Sequence, residues 1–194
     1  CIDDPKVRDL MSSCHGRTLT YGISPDAVIR AENIELDRGT ASCTVLRTNR
    51  ELFRLRLPLP GKHLLVNSLA AIAVGLEFDI PAEKIREALE GFSGVARRLE
   101  TIGSTHGVTV ISDYGHHPTE VRATIAALRD GWRGQMGKLH VVFQPHRYSR
   151  TSRCFAEFVE AFGGCDHLLL TEIYSAGEEP VQGITGRALF DAVV

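Results

Sequence analysis

Two short polar runs each concentrate side chains that are equipped for chemistry. The first, Asp113-Tyr114-Gly115-His116-His117-Pro118, gathers a carboxylate, a phenol and two imidazoles. Imidazole titrates near neutral pH, so either histidine could take up or release a proton during a reaction. The second, Gln144-Pro145-His146-Arg147-Tyr148-Ser149-Arg150, places two arginines beside another histidine, just ahead of an expected helix. Guanidinium forks grip carboxylate or phosphate oxygens in paired hydrogen bonds, although Arg147 and Arg150 could instead serve surface ion pairs or a network at a helix start. Their position beside His146 at the end of an expected strand favours a ligand. His116 and His117 lie on an expected extended segment, where adjacent side chains point apart. No second ligand set has helical i, i+4 spacing, so no dedicated metal site is expected.

Weaker signals lie elsewhere. His63 and Asn67 share one face at the start of a helix, where they either cap it and bridge to the preceding loop or touch the edge of a planar ligand; spacing alone favours capping. Arg97 and Arg98 form a basic pair in a loop, which by itself reads as solvated. No G-x-x-x-x-G-K-[ST] phosphate loop occurs: the nearest string, from Gly131 to Lys138, precedes a strand and runs into Leu139 where Ser or Thr is required. There is no G-x-G-x-x-G turn either. The phosphates of a bound nucleotide would have to be held by residues outside these 194.

Periodicity predicts the elements that position these runs. Lys6 to Met11 reads as helix. Residues 28–36, 40–47 and 52–57 alternate in short segments separated by Asp37-Arg38-Gly39 and Thr48-Asn49-Arg50, which predicts an antiparallel meander of three strands. Residues 63–76 are apolar nearly all round, as in a helix buried on most sides, and Pro81 opens an amphipathic helix reaching about Leu89. Gly91-Phe92-Ser93-Gly94 begins an interdomain linker. From Leu99 strands and helices alternate, with strands at 99–102, 108–112, 139–143 and 167–171 and helices at 119–129 and 152–162. A last helix starts near Gly186 and is still running at Val194. Such βαβα order implies a mostly parallel sheet with helices on its faces and ligands beyond the carboxyl ends of its strands, where both polar runs fall. The class is therefore α/β: antiparallel strands plus helices over residues 1–95, then a Rossmann-like, mostly parallel domain over 96–194. The start at Cys1 and the helix still running at Val194 read as cuts in a longer chain.

The 22 basic and 24 acidic residues are well mixed, so no broad electrostatic footprint for nucleic acid or an anionic membrane exists. No apolar run approaches the roughly 18 residues that cross a bilayer, and the N-terminus is not signal-like. Five scattered cysteines without a C-x-x-C pair argue against a disulfide framework or zinc ribbon and fit a reducing cytoplasm. Cys154 and Cys165, in or beside an apolar helix, read as small buried hydrophobes.

These strings resemble the Mur ligases, and among them the branch that adds L-alanine to UDP-N-acetylmuramate. The resemblance spans nearly the whole chain, through Asp3-Asp4-Pro5, Thr20-Tyr21-Gly22, Arg30-Ala31-Glu32-Asn33-Ile34, Pro60-Gly61-Lys62-His63, Gly94-Val95-Ala96-Arg97-Arg98, the runs 113–120 and 143–151, and 172–178. It implies a three-domain enzyme, with this chain supplying the end of the central ATP-binding domain, residues 1–95, and most of the C-terminal domain, residues 96–194. It also implies an ATP-dependent carbon–nitrogen ligase of cytoplasmic peptidoglycan synthesis, serving cell wall biogenesis, cell shape, cell division and the cell cycle. In that reaction the muramoyl carboxylate becomes an acyl phosphate, which the amino group of L-alanine attacks.

ATP and Mg2+ would be held mainly by residues outside these 194. UDP-N-acetylmuramate and L-alanine would be the other partners, with no nucleic acid or membrane, in a monomer or weak homodimer. The resemblance places His63 and Asn67 near adenine, Arg98 near the phosphates or ribose, and Asp113 at the ribose hydroxyls. It assigns Tyr114, His116, His146, Arg147 and Arg150 to the pocket for the amino acid and ligated product, with His116 as proton acceptor. One departure stands out: the family reads His-Asn-x-x-Asn at the helix start, and here Leu64 replaces the first asparagine, which removes one amide contact to the purine. Two other readings are a recycling ligase that attaches a tripeptide to the same sugar nucleotide, and a non-catalytic nucleotide-binding module. The former tends to carry Phe-Ala where this chain has Tyr114-Gly115; the missing phosphate loop favours the latter. Lacking that loop, the 194 residues alone are expected to be inactive.

Overall fold

The computed structural model describes residues 1–37, 39–132 and 137–193. Arg38 of the expected Asp37-Arg38-Gly39 turn, residues 133–136 of the string before Leu139, and Val194 lie outside the described residues. The chain divides into two compact units, Cys1–Gly94 and Val95–Val194.

In the first unit, α1 (Pro5–Met11) starts from Asp4, whose carboxylate accepts the Lys6 N–H at 2.8 Å. Strand β1 (Tyr21–Gly22) pairs parallel with β2 (Ile29–Asp37), which continues antiparallel into β3 (Thr40–Arg47) and β4 (Arg50–Leu57). The expected meander is present, with β1 added at its edge; two residues are too few to show alternation. The β3–β4 hairpin turns on Thr48 and Asn49, both at positive φ (49° and 64°), as a two-residue type I′ turn requires. Phe53, Leu55 and Leu57 of β4 are buried while Arg54 and Arg56 between them are exposed.

Helix α2 (Lys62–Glu77) lays Leu65, Leu69 and Ile72 in one cluster with Ile29, Val45 and Leu55, and α3 (Ala82–Glu90) adds Ile85. Each fully buried large aliphatic side chain contributes about 1.5–3 kcal/mol, so this layer outweighs any single polar contact in the unit. The composition of α2 predicts burial on most sides, but the unit buries only one face. Asn67, Ala71 and Val74 form an exposed stripe, with Val74 57% exposed, because a helix lying on one sheet turns its far face outward.

The second unit opens with β5 (Glu100–Thr105) and β6 (Val108–Ser112), followed by α4 (Pro118–Gly131), β7 (His140–Phe143), α5 (Tyr148–Arg153), α6 (Phe155–Val159), β8 (His167–Leu170) and α7 (Gly186–Val193). Its elements are mixed α/β, and β7 pairs with β8 in parallel, from His140 opposite His167 to Phe143 opposite Leu170. Strand β5 instead folds back on β6. His106 and Gly107, at φ 48° and 77°, make a two-residue turn that can return only an antiparallel strand.

The helix expected over 152–162 begins earlier, at Tyr148, and is broken in two. Cys154 leaves helical geometry at ψ 20° as its buried side chain joins the core. There Val121 and Ile125 of α4 cluster with Phe143, Phe158, Phe162 and Leu189, and the Phe143 ring lies 5.6 Å from that of Phe158. Gly186 lets α7 begin close to the residues after β8: a Cβ there would sit 2.5 Å from the Thr171 carbonyl oxygen.

Phe158 is 0% exposed. Phe158→Ala is therefore expected to destabilise this unit by about 3–5 kcal/mol. Trp132, the single tryptophan, lies in the same unit, so its fluorescence in a urea titration reads the change. An unchanged midpoint would show that the unit does not depend on this core.

Candidate active site

Strand β6 ends at Ser112, and the residues between it and α4 have backbone N–H groups that no ladder receives. The Tyr114 N–H goes to the Arg97 carbonyl at 2.6 Å, and carboxylates receive those of Gly115, His116 and His117. Asp113 accepts the Gly115 N–H on Oδ1 at 2.7 Å and the Leu99 N–H on Oδ2 at 2.9 Å. Glu120 Oε2 accepts the N–H groups of both His116 and His117 at 3.0 Å. His117 caps α4, its Nδ1 accepting the Thr119 N–H at 3.3 Å, and the return bond from Glu120 completes a capping box. Pro118 takes the first helical position, where its missing N–H costs nothing.

These bonds aim the side chains. His116 Nδ1 lies 3.1 Å from the Tyr114 carbonyl oxygen, which can only accept, so Nδ1 carries the hydrogen and Nε2 keeps the lone pair. Glu120 Oε2 is 3.7 Å from the same Nδ1. The Tyr114 ring stands edge-on to that of His116 at 5.4 Å, and the Arg98 guanidinium lies 5.8 Å from the Tyr114 centroid and 3.4 Å from Glu120 Oε1. Burial alone would raise the Glu120 carboxyl. The His116 and His117 amides, charge on His116 and the bond to Arg98 outweigh it and hold the group below its ordinary value of 4.5.

Beyond β7 the chain runs along residues 172–174. Gln144 donates to the Glu172 carbonyl at 3.3 Å, the Tyr174 N–H to the Pro145 carbonyl at 2.9 Å, and the Arg147 N–H to the Tyr174 carbonyl at 2.8 Å. Arg147 stands at φ 75° and ψ 133°, backbone space that favours glycine. Such a conformation costs about 1–3 kcal/mol and persists only when its surroundings over-determine it. Thr151, fully buried, supplies the other restraint: its N–H and hydroxyl both donate to the Arg147 carbonyl, at 3.1 and 2.8 Å.

Arg147 caps α5 with its side chain half exposed and 3.9 Å from Glu178 Oε1. Arg150 lies within α5, not ahead of a helix as its spacing predicts, because α5 starts early; its Nη1 turns back to the His146 carbonyl at 3.2 Å. The Ser149 N–H and hydroxyl donate to Glu178 at 2.9 and 2.7 Å and hold that carboxyl below 4.5. The His146 ring lies tilted on that of Tyr174 at 5.0 Å. Burial first, then Arg150, Arg147 and His116, push its pKa below 6.5, so His146 is neutral at pH 7. Both polar runs lie in the second unit, and charge on His116 contributes to the shift at His146.

His117 Nε2 lies 3.7 Å from the buried Cys154 sulfur, and Glu157 brings a third ligand atom within 4.8 Å of both. Since Nδ1 accepts the cap bond, Nε2 of the neutral ring carries the hydrogen and points it at sulfur. A cation there would have to displace that proton and break the helix cap. In the first unit, α2 starts from Gly61 at φ 95°, and His63 and Asn67 lie in its first two turns.

Known protein families account for both units. The Mur ligase middle domain matches residues 1–75, and the domain described as Mur ligase, glutamate ligase domain, matches residues 97–194. The chain belongs to the Mur ligase family. Among Mur ligases it is similar to the UDP-N-acetylmuramate–L-alanine ligases of Pelobacter propionicus, 43% identical over 194 residues, and of Geobacter sulfurreducens, 42% identical over 193 residues. Each match covers 100% of this chain but only 42% and 41% of the relative, so the chain spans about two fifths of their length. The solved UDP-N-acetylmuramate-alanine ligase MurC of Thermotoga maritima superposes with a TM-score of 0.74 at 26% identity, over 90% of this chain and 36% of that one. MurF of Acinetobacter baumannii, at 22% identity and a TM-score of 0.67 over 85% of this chain and 35% of its own, shares the fold.

In this Mur ligase chain Arg98, Asp113, Tyr114 and His116 form one network, and His146, Arg147 and Arg150 a second that His116 reaches; His63 and Asn67 stand in the other unit. Sequence reasoning assigned no role to Glu120, Tyr174, Thr151 or Glu178. For Glu120 a signal existed, an acidic residue three after the cap of an apolar helix. Tyr174 and Glu178 come from a loop far along the chain, and only the fold reveals them.

Because Arg147 sits at φ 75°, Arg147→Gly should leave the unit as stable as before or more so, by up to about 2 kcal/mol after the extra freedom of glycine in the unfolded chain. A marked fall in the urea midpoint would mean that the guanidinium, not the restrained backbone, is what the structure needs. Acid provides a second measurement. Asp166, which accepts the Leu139 N–H and an Arg129 N–H at 2.6 Å each, is also held low, below 3.8. A carboxyl depressed by folding stabilises the fold above its ordinary value and loses that contribution as pH falls through the depressed one. Stability of the unit should therefore decline as pH drops below about 4.5, and Glu120→Gln should flatten the decline.

Proposed function

We propose that this chain forms the amino-acid side of the active site in a ligase joining L-alanine to UDP-N-acetylmuramate with ATP. Residues 1–95 then end the central ATP-binding domain and residues 96–194 make most of the C-terminal one. The observation that carries this reading is His116, its Nδ1 turned to the Tyr114 carbonyl so that Nε2 is left to accept a proton, in the same unit as Arg147 and Arg150, whose guanidinium groups flank His146. Alanine presents a carboxylate and an ammonium together, and this set can meet both. Arg147 and Arg150 take the carboxylate. His116 Nε2 accepts a proton from the ammonium, and the freed amine attacks the acyl phosphate made from the muramoyl carboxylate and the γ-phosphoryl group of ATP. A carbon–nitrogen bond forms, the carbon–oxygen bond to phosphate breaks, and inorganic phosphate leaves.

On this reading Tyr114 borders the alanine side chain and His146, neutral, lends a hydrogen bond without competing for the proton. Asp113 keeps lone pairs for ribose hydroxyls after receiving two amides, Arg98 lies toward phosphate or ribose, and His63 and Asn67 toward adenine, with Leu64 packing where an amide is expected. Glu120 and Glu178 are already committed to N–H and O–H donors, so these two carboxylates do not fit a magnesium ion. Neutralisation of the ATP phosphates falls to other parts of the protein. Among the described residues no helix is long and apolar enough to cross a membrane, which fits action in the cytoplasm.

The test supplies the longer protein carrying this segment with UDP-N-acetylmuramate and ATP, and compares L-alanine, glycine, L-serine and a tripeptide by phosphate release. L-alanine should give the highest kcat/KM. Arg150→Ala should raise its KM about tenfold or more, the loss of one charge-assisted contact. Preference for the tripeptide, or release independent of any acceptor, would replace this reading with the recycling ligase or another activity.

A further inference from the structure

We propose that Glu120 is a positioning residue, whose carboxylate holds His116 in the orientation and tautomer a base requires and joins it to Arg98. The inference rests on the alanine-ligase reading for what the base acts on, though not for the geometry. A capping box needs Glu120 to accept only the amide of the cap residue, His117. Here the same oxygen also accepts the His116 amide and stands 3.7 Å from His116 Nδ1, while Oε1 meets Arg98 at 3.4 Å. Gly115 permits this crowding, since a Cβ would lie 2.7 Å from Asp113 Oδ1 and 3.4 Å from the Glu120 Cβ.

The arrangement has a chemical consequence. With the Nδ1 hydrogen donated to the Tyr114 carbonyl, the incoming proton can go only to Nε2. When the ammonium N–H bond breaks and the Nε2–H bond forms, the ring becomes an imidazolium whose Nδ1 edge already faces an anion. The other charged or titratable groups by the ring are Tyr114, edge-on at 5.4 Å, and Arg98, which meets Glu120 at 3.4 Å; charge on His116 is felt at His146. Glu120 is the one carboxylate seen against the ring among the described residues. It is mounted on the first turn of α4, next to the buried Val121, so helix packing sets where the base points.

Three variants test this. In Glu120→Gln the side-chain oxygen can still accept the two amides, so the turn survives without the charge. Alanine-dependent kcat of the longer protein should fall about ten- to a hundredfold, less than the 10²–10⁴ that a full acid–base group supplies. The acid limb of the pH–rate profile should move to lower pH, and KM for ATP should stay within about twofold. Glu120→Asp, which keeps the charge on a shorter arm, should recover part of the rate. Two-bond 1H–15N spectra of the 194-residue chain provide a readout without turnover. His116 should show the Nδ1–H tautomer in wild type and Glu120→Gln, and lose it in Glu120→Ala. Wild-type kcat and pH profile in Glu120→Gln, or an unaltered tautomer in a folded Glu120→Ala, would overturn the proposal. If the spectra behave as expected but the wild-type longer protein shows no alanine-dependent turnover, the ligase reading fails and the positioning role stands.

Discussion

Where a strand hands over to a helix, several consecutive N–H groups point away from any ladder, and leaving them unpaired in a half-buried site is costly. In this protein two carboxylates answer that demand. Asp113 and Glu120 together receive the amides of Leu99, Gly115, His116 and His117. The start of β5, the turn after β6 and the first turn of α4 are thereby tied into one piece. The two histidines acquire separate tasks from the same ties: His117 is spent on the helix cap and on Cys154, while His116 keeps one ring nitrogen for chemistry. A carboxylate used this way is also an electrostatic element, so the structural requirement and the local field cannot be separated at Glu120.

The second polar run is organised by strain. Arg147 occupies backbone space suited to glycine, yet glycine would bring no guanidinium. The conformation is clamped by Tyr174 from a distant loop and by Thr151 from the next turn, and Glu178 from that same loop holds Ser149 at the start of α5. Local strain is thus balanced by contacts between segments far apart in the chain. Burial, with Arg150 and Arg147 beside it, also pushes the His146 pKa down.

Membership of the Mur ligase family explains why two units with different sheets occur in one chain. The first buries a helical layer on an antiparallel sheet, and the second carries a parallel pair with helices around an aromatic core. Only the second contains the two polar runs. Asn67 is exposed and His63 half-buried at the start of α2 in the first unit, where a nucleotide base is the proposed occupant.

Much of this was legible in the residues themselves. Alternation in β4, the apolar face of α2, the turn at Thr48-Asn49 and the two polar runs follow from local pattern, because side-chain period and turn angles depend on near neighbours. Local pattern misplaced three things: the return of β5 onto β6, the exposed far side of α2, and the break of a helix at Cys154. The last two depend on what lies across the fold, which no window of sequence contains, whereas the return of β5 is set by the local turn at His106-Gly107. The same holds for the site. Asp113, His116, His146 and the arginines could be named from their types and spacing. The tautomer of His116, the strain at Arg147 and the parts played by Glu120, Tyr174 and Glu178 were decided by tertiary structure, since hydrogen-bond partners are chosen by distance in space and not along the chain.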